Sequence, residues 1–264
     1  MFEKPSVYCP RKIIDVSSYT GRKRHMDIKK FEILLKKIPG GKVLDVATGS
    51  GQFIQFLMAA LKDYNDFVGI DVHEKALEFA QKQFEGKPVH FEKMDAENLS
   101  FKDNTFDTVG IQYSLHHMKN LDRVLSEMFR VLKPEGYFLI GEMYGDVNQT
   151  KAQQSHIKIH HLAADLDTAK GDFHDHTYSK NKIREIVKKL PFSELDEYDL
   201  TYPIEDPKNP EFIAKMKESI TKALDRYKDI PEFENYSGKI DELNVWIETH
   251  GYAPASSLFF IGKK

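Results

Sequence analysis

The chain has 264 residues, with 38 Lys and Arg against 41 Asp and Glu and a formal net charge of -3. That length allows one large domain, or one domain with a substantial insertion, whose core needs no disulfide or metal staple. The charge balance argues against a nucleic-acid or membrane-surface protein, and the single cysteine, Cys9, excludes an intramolecular disulfide and fits a reducing, cytoplasmic setting. No uncharged apolar run is long enough to span a bilayer. The opening Met1-Phe-Glu-Lys-Pro lacks the apolar stretch of a secretory signal.

Residues 1–26 are polar and basic, with Tyr19 and the run Arg22-Lys23-Arg24-His25, and read as an arm or short helix. Asp27 is positioned to cap a helix with Ile28, Phe31, Leu34, Leu35 and Ile38 on one face, stopped by Pro39-Gly40-Gly41. Val43 to Ala47 is a short, almost continuous apolar run, as expected of a parallel strand buried on both faces. A turn, Thr48-Gly-Ser-Gly51, leads into a helix bearing Phe53, Ile54, Leu57 and Leu61. The alternation continues with a strand at 66–72, a helix at 75–84, strands at 89–94 and 106–113, and a helix at 121–132. A turn at Lys133-Pro-Glu-Gly136 precedes a fifth strand, 137–143. Strands alternating with helices of this length predict a doubly wound, mostly parallel α/β sheet.

After Met143 the pattern breaks. Residues 146–178 are polar and rich in histidine, with helix expected around 150–165. A Ser179-capped helix and a sixth strand at 195–202 follow. Asn209-Pro210 signals the start of a long helix, and another carries Ile240, Leu243 and Ile247 up to Gly251. Ser256 to Ile261 is a last strand. The reading is a single domain over 1–264: an arm and helix (1–39), a core (40–143), helical insertions at 146–178 and 204–250, and a final strand within 256–264. Seven strands in all are expected. Ligands of such sheets bind at the carboxyl ends of the strands, so insertions leaving those ends are expected to form a lid.

The most informative stretch is Val43-Leu-Asp-Val-Ala-Thr-Gly-Ser-Gly51. Glycines at 49 and 51 let the backbone approach a ligand, and the helix that follows offers unpaired N–H groups. A dinucleotide fingerprint places a third glycine at 54, where this chain has Ile54. Asp45 would repel a pyrophosphate, but suits a ligand with a cationic group and no phosphate. Asp71 ends the second strand, where a carboxylate can accept both ribose hydroxyls. Asp95 ends the third, beside Ala96, where a carboxylate can accept from an exocyclic amine while an apolar slot holds the ring. Together they describe an adenosine carrying something other than phosphate.

These residues resemble the class I S-adenosylmethionine-dependent methyltransferases, and most of all their ubiquinone/menaquinone-biosynthesis C-methyltransferase-like group. The resemblance is carried by Val43 to Gly51, Gly69-Ile-Asp-Val72, Asp95 to Asp107, Ser114-Leu-His-His-Met118 and Arg130-Val-Leu-Lys-Pro-Glu-Gly136, about residues 40–143. It implies S-adenosylmethionine as cofactor and S-adenosylhomocysteine as product. It implies that Asp45 and the loop Ala47, Thr48, Gly49 and Gly51 hold the methionine end, that Asp71 with Val72 holds the ribose, and that Asp95 with Ala96 holds the adenine. Gln112 and Tyr113 would lie near the sulfonium. Ala47 stands where many members have glycine. The two insertions match no quinone-methylating pattern, so quinone specificity is not implied.

Methyl transfer is an in-line displacement that asks mainly for positioning and a dry site. Should the acceptor have to lose a proton, His116 and His117 are the candidate bases; the alternative is that they cap their loop or pack on the next helix. Five of the 11 histidines fall between His156 and His176. His156 and His160 share a helix face, and with His174, Asp175 and His176 they can supply zinc or iron ligands, although the spacing is that of no named zinc motif. The alternative is a solvated insertion in which one or two of His156, His160, His174 and His176 touch substrate; Tyr113, leaving the fourth strand, can instead orient the acceptor or pack. The expected activity is methyl transfer to a small molecule, without nucleic acid and without a resident metal. The alternatives are a nicotinamide-dependent oxidoreductase and a non-catalytic S-adenosylmethionine-binding protein.

Overall fold

The apolar run after Gly41 becomes the middle of a seven-stranded sheet. The computed structural model describes residues 28–202, 204–231 and 233–264. The expected arm, with Cys9, Tyr19 and the Arg22 to His25 run, and the Asp27 cap lie outside the described residues. The strands are β1 (Lys42–Val46), β2 (Asp66–Asp71), β3 (Val89–Lys93), β4 (Phe106–Gln112), β5 (Leu132–Met143), β6 (Glu194–Leu200) and β7 (Ser257–Lys263). The helices are α1 (Ile28–Leu35), α2 (Gln52–Ala60), α3 (Glu74–Gln83), α4 (Leu121–Val131), α5 (Lys151–Lys170), α6 (Lys180–Val187), α7 (Pro210–Leu224) and α8 (Ser237–His250).

The chain divides into two compact units. One comprises Met26–Glu142, Ile183–Leu200 and Leu258–Lys264; the other includes Met143–Lys182 and Thr201–Ser257.

In the first unit the strand order is β3-β2-β1-β4-β5-β7-β6. β1 pairs in parallel with both β2 and β4, and β2–β3 and β4–β5 are also parallel. Strand order therefore reverses between β1 and β4, and the carboxyl ends of these two strands flank the crevice where such sheets take ligands. Val43, Leu44 and Val46 are fully buried, which is why β1 reads as a continuous apolar run instead of an alternating one. On one side Phe31 of α1 meets Phe259 of β7 edge-on, with ring centroids 4.7 Å apart, amid Leu35, Ile54 and Leu57. An aromatic this deeply packed contributes on the order of 3–5 kcal/mol.

The turn expected at Lys133-Pro-Glu-Gly136 is instead an interruption inside β5. Leu132 pairs with Phe106 and Tyr137 with Thr108, with a register shift between them, and Glu135 takes a φ of 63°. Arg130 explains part of the motif that precedes it. Its guanidinium donates to the carbonyls of Leu99 (2.9 Å) and Phe101 (2.8 Å) and to Glu127 and Asp103. It thereby fixes the loop that follows β3.

The second unit is helical. Thr150 and Gln153 form a reciprocal capping box at the start of α5, which then runs five residues beyond the expected end. Asn209 accepts from the Phe212 amide at 3.0 Å and Pro210 opens α7, as the dipeptide predicts. Gly251, at a φ of 79°, ends α8. Ile159, Leu162 and Leu166 of α5 pack with Ile213, Met216 and Ile220 of α7 and with Leu243 and Ile247 of α8. Among the described residues, no helix is long and apolar enough to cross a membrane.

Candidate functional site

The loop between β1 and α2 is built from left-handed backbone: Ala47, Gly49 and Gly51 have φ of 55°, 52° and 82°. A side chain on Gly51 would stand 2.6 Å from Phe84 Cε2, so both the conformation and the space call for glycine there. Gly51 is also the N-cap of α2, and no side chain caps the helix. The N-terminus of α2 thus turns its positive dipole end toward this loop, which suits an anionic group such as an amino-acid carboxylate. Asp45 is almost wholly buried and accepts from Thr48 Oγ1 at 2.6 Å, so this carboxylate also organises its own loop. Ile54 is fully buried where a dinucleotide fingerprint would have glycine.

Asp71 closes β2 with its carboxylate turned back to this loop. Its Oδ2 accepts from the Gly49 amide (2.8 Å), and its Oδ1 accepts from the His73 amide (2.9 Å) and meets His73 Nδ1 (2.7 Å). Burial alone would raise this carboxyl, but the His73 ring and the two amides hold it below the usual range, and it stays ionised. A carboxylate has about four acceptor sites; these three contacts leave about one for a ligand hydroxyl. Val72, beside it, is 50% exposed. Beyond β3, Asp95 is exposed and accepts from the Glu97 amide at 2.9 Å, while Ala96 is buried. Loop amides for a carboxylate, an ionised acceptor at the end of β2 and an acceptor beside an apolar residue past β3 fit an adenosine linked to an amino acid.

β4 ends in strain. Tyr113 sits at a φ of 51°, an outlier for a bulky residue, and its amide donates to the Gly141 carbonyl at 2.7 Å. Gln112 precedes it, half-buried. A one-turn 3-10 helix, Leu115–His117, follows. There the His116 Nδ1 lies 3.1 Å from Glu142 Oε1, both side chains fully buried, while Glu142 Oε2 accepts from the Leu115 amide at 2.8 Å. The carboxylate fixes the His116 ring, leaving Nε2 as its second nitrogen. His117 stands against His116, with ring centroids 4.4 Å apart.

The histidines expected to line the lid belong to the helical unit, and they separate. His156 Nδ1 accepts from the Ala255 amide at 3.0 Å, and burial pulls this imidazole down to about 4, so it is a neutral structural acceptor. That differs from the expected pairing of His156 with His160, because an i,i+4 spacing sets a shared face but not a shared partner. His160 and His174 face one another, Nε2 to Nε2 at 3.1 Å. His176 is more exposed, stacks on His161 and pairs with Asp165 at 2.8 Å.

Sequence reasoning missed Glu142 and Asp167. Glu142 lies in the apolar run of β5, and a lone carboxylate inside a buried strand was the available signal. Asp167 is buried on α5 seven residues after His160, hence on the same face.

Residues 44–140 match the model of a methyltransferase domain. The chain is 29% identical over 177 residues to a demethylmenaquinone methyltransferase of Lactobacillus johnsonii, covering 65% of this chain and 72% of that protein. It is 38% identical over 109 residues to the ubiquinone/menaquinone biosynthesis C-methyltransferase UbiE of Desulfotalea psychrophila, covering 41% of this chain and 44% of that protein. The chain thus spans less than half the length of the second relative. Among solved structures, the [4+2]-cyclase SpnF superposes with a TM-score of 0.57 at 19% identity, over 89% of this chain and 80% of that one. At that identity the likeness speaks for the fold alone.

Proposed function

We propose that the chain is a class I S-adenosylmethionine-dependent methyltransferase and that it methylates a small molecule that loses a proton in the reaction. The acceptor class this reading favours is a hydroxylated aromatic or enolic carbon or oxygen. The observation that carries it is the buried dyad of His116 and Glu142 (3.1 Å) on the segments leaving β4 and β5, at the end of the sheet where ligands of this fold bind. The relatives named as menaquinone and ubiquinone methyltransferases support it, since a ring carbon must shed its proton after methylation.

Bound S-adenosylmethionine supplies an electrophilic methyl group and a neutral thioether leaving group. The chain's own residues position and deprotonate. The loop Ala47 to Gly51 and the first amides of α2 take the methionine carboxylate, and Asp45, through Thr48, keeps that loop in shape. Asp71, with Val72 alongside, takes a ribose hydroxyl, and Asp95 with Ala96 takes the adenine. Gln112 and the strained Tyr113 lie on the sulfonium side. Glu142 holds the His116 Nδ1–H, so Nε2 is the nitrogen that receives the acceptor's proton, with His117 packed against the ring.

The test is methyl transfer from labelled S-adenosylmethionine to a panel of phenols, quinols and enolic metabolites, compared with amines and thiols. The reading predicts label in the first group and loss of transfer in His116→Ala. Transfer only to amines or thiols, or full transfer by His116→Ala, overturns it. Absence of any transfer, with cofactor binding intact, would favour a non-catalytic cofactor-binding protein.

A further inference from the structure

The helical unit contains a chain of buried polar groups outside the proposed cofactor positions. His160 and Asp167 lie on one face of α5, seven residues apart. The helix ends at Gly171, whose φ of 97° turns the chain back on itself. The returning segment is anchored by the Asp172 amide on the Asp167 carbonyl (3.0 Å) and by Thr168 Oγ1 on the His174 carbonyl (3.3 Å). This brings the His174 ring onto α5. His174 Nδ1 meets Asp167 Oδ2 at 2.7 Å, and Tyr227 donates its hydroxyl to Asp167 Oδ1 at 2.6 Å. Burial and the adjacent Asp167 carboxylate raise the Tyr227 phenol, so it remains a donor. His160, Asp167 and His174 are each at most 4% exposed.

The donor assignments follow from the carboxylate. Ionised Asp167 only accepts, so His174 carries its proton on Nδ1 and presents the Nε2 lone pair. His160 Nε2 lies 3.1 Å from that nitrogen. Either His160 places a proton between the two nitrogens, or both lone pairs converge on a cation. Two imidazole nitrogens about 2.05 Å from one ion and 3.1 Å apart subtend about 98° at the ion, between octahedral and tetrahedral values. The carboxylate behind His174 is the partner that metal-bound histidines take: it fixes the tautomer and raises ligand basicity.

We propose that His160 and His174 bind a divalent transition metal of the zinc class, with Asp167 and Tyr227 orienting His174 from behind. Two imidazoles select zinc, iron, nickel or copper over magnesium and calcium, which ask for oxygen ligands. The remaining positions go to other donors, water in the simplest case. Because the imidazoles bind as neutral ligands, His160 carries its proton on Nδ1 when the metal is bound, and binding weakens as pH falls.

The experiment is calorimetric titration of the metal-stripped full chain with zinc sulfate, repeated with cobalt chloride while the visible spectrum is recorded. The proposal predicts one equivalent bound per chain and a cobalt absorption band that saturates at one equivalent. His160→Ala and the milder His174→Gln should each abolish the site while keeping the far-ultraviolet circular dichroism of the native chain. Asp167→Asn should weaken it about 10- to 100-fold, and His250→Gln should leave it unchanged. No saturable binding to the native chain, or binding that survives both His160→Ala and His174→Gln, overturns it. Should either variant unfold, the Asp167→Asn weakening and the native cobalt band decide.

Discussion

Asp71 Oδ2 accepts the Gly49 amide at 2.8 Å and so ties the end of β2 to the glycine loop after β1. One carboxylate thereby shapes the loop and stays ionised; in the proposed function that loop takes the methionine end of the cofactor and Asp71 the ribose. Asp71→Asn keeps the shape but loses the charge. A hydrogen bond to a charged group is worth about 1.5–3 kcal/mol, so S-adenosylhomocysteine affinity should fall about 10- to 100-fold. Calorimetry on the variant measures it, and an unchanged affinity would remove Asp71 from the site.

Glu142 is expected to act through His116. Glu142→Gln preserves volume but replaces an acceptor with an amide, which releases the ring from its fixed tautomer. General bases contribute about 100- to 10,000-fold, so kcat should drop at least tenfold, with KM for the cofactor unchanged. A proportional loss of cofactor affinity would mean that the pair is only structural.

Gly51 tests the loop backbone. Gly51→Ala forces a side chain into a left-handed conformation, at about 1–2 kcal/mol, and against Phe84, which is itself 2% exposed. The variant should lose at least about 2 kcal/mol in urea unfolding and lose cofactor binding. Ala47→Gly, at a φ of 55°, should stay within about 1 kcal/mol of the native chain. The contrast between the two is the readout.

His156 gives the protein a pH-dependent stability. Its folded value lies at about 4 against an unfolded value of 6.5, so below 6.5 the unfolded chain binds a proton that the folded chain refuses. Stability is therefore complete above 6.5 and declines as pH falls from 6.5 toward 4, by about 3 kcal/mol at most. Urea unfolding at pH 7 and pH 4.5 should show that loss in the native chain and a smaller one in His156→Asn. Equal losses in both would assign the acid sensitivity to other groups.

The strands were readable because a parallel strand buried on both faces is almost continuously apolar, as Val43, Leu44 and Val46 are around Asp45. The start of α7 was readable because Asn209 and Pro210 act locally. Asp45, Asp71 and Asp95 stood out because each is a carboxylate at a strand end. What escaped depends on contacts distant in sequence. The 133–136 segment looks like a turn, yet pairing with β4 on either side makes it a bulge within β5. Glu142 acquires meaning only when β5 lies beside β4, 26 residues from His116. The His174–Asp167 contact depends on a reversal at Gly171 that places two residues from different segments in register.

The central claim is that the β1–α2 loop and the ends of β2 and β3 hold S-adenosylmethionine. Its most direct measurement is calorimetric titration of the full chain with S-adenosylhomocysteine, alongside NADH. The account predicts saturable one-to-one binding of S-adenosylhomocysteine that Gly51→Ala abolishes, with no heat from NADH. Binding of NADH without S-adenosylhomocysteine, or S-adenosylhomocysteine binding indifferent to Gly51→Ala, would contradict it.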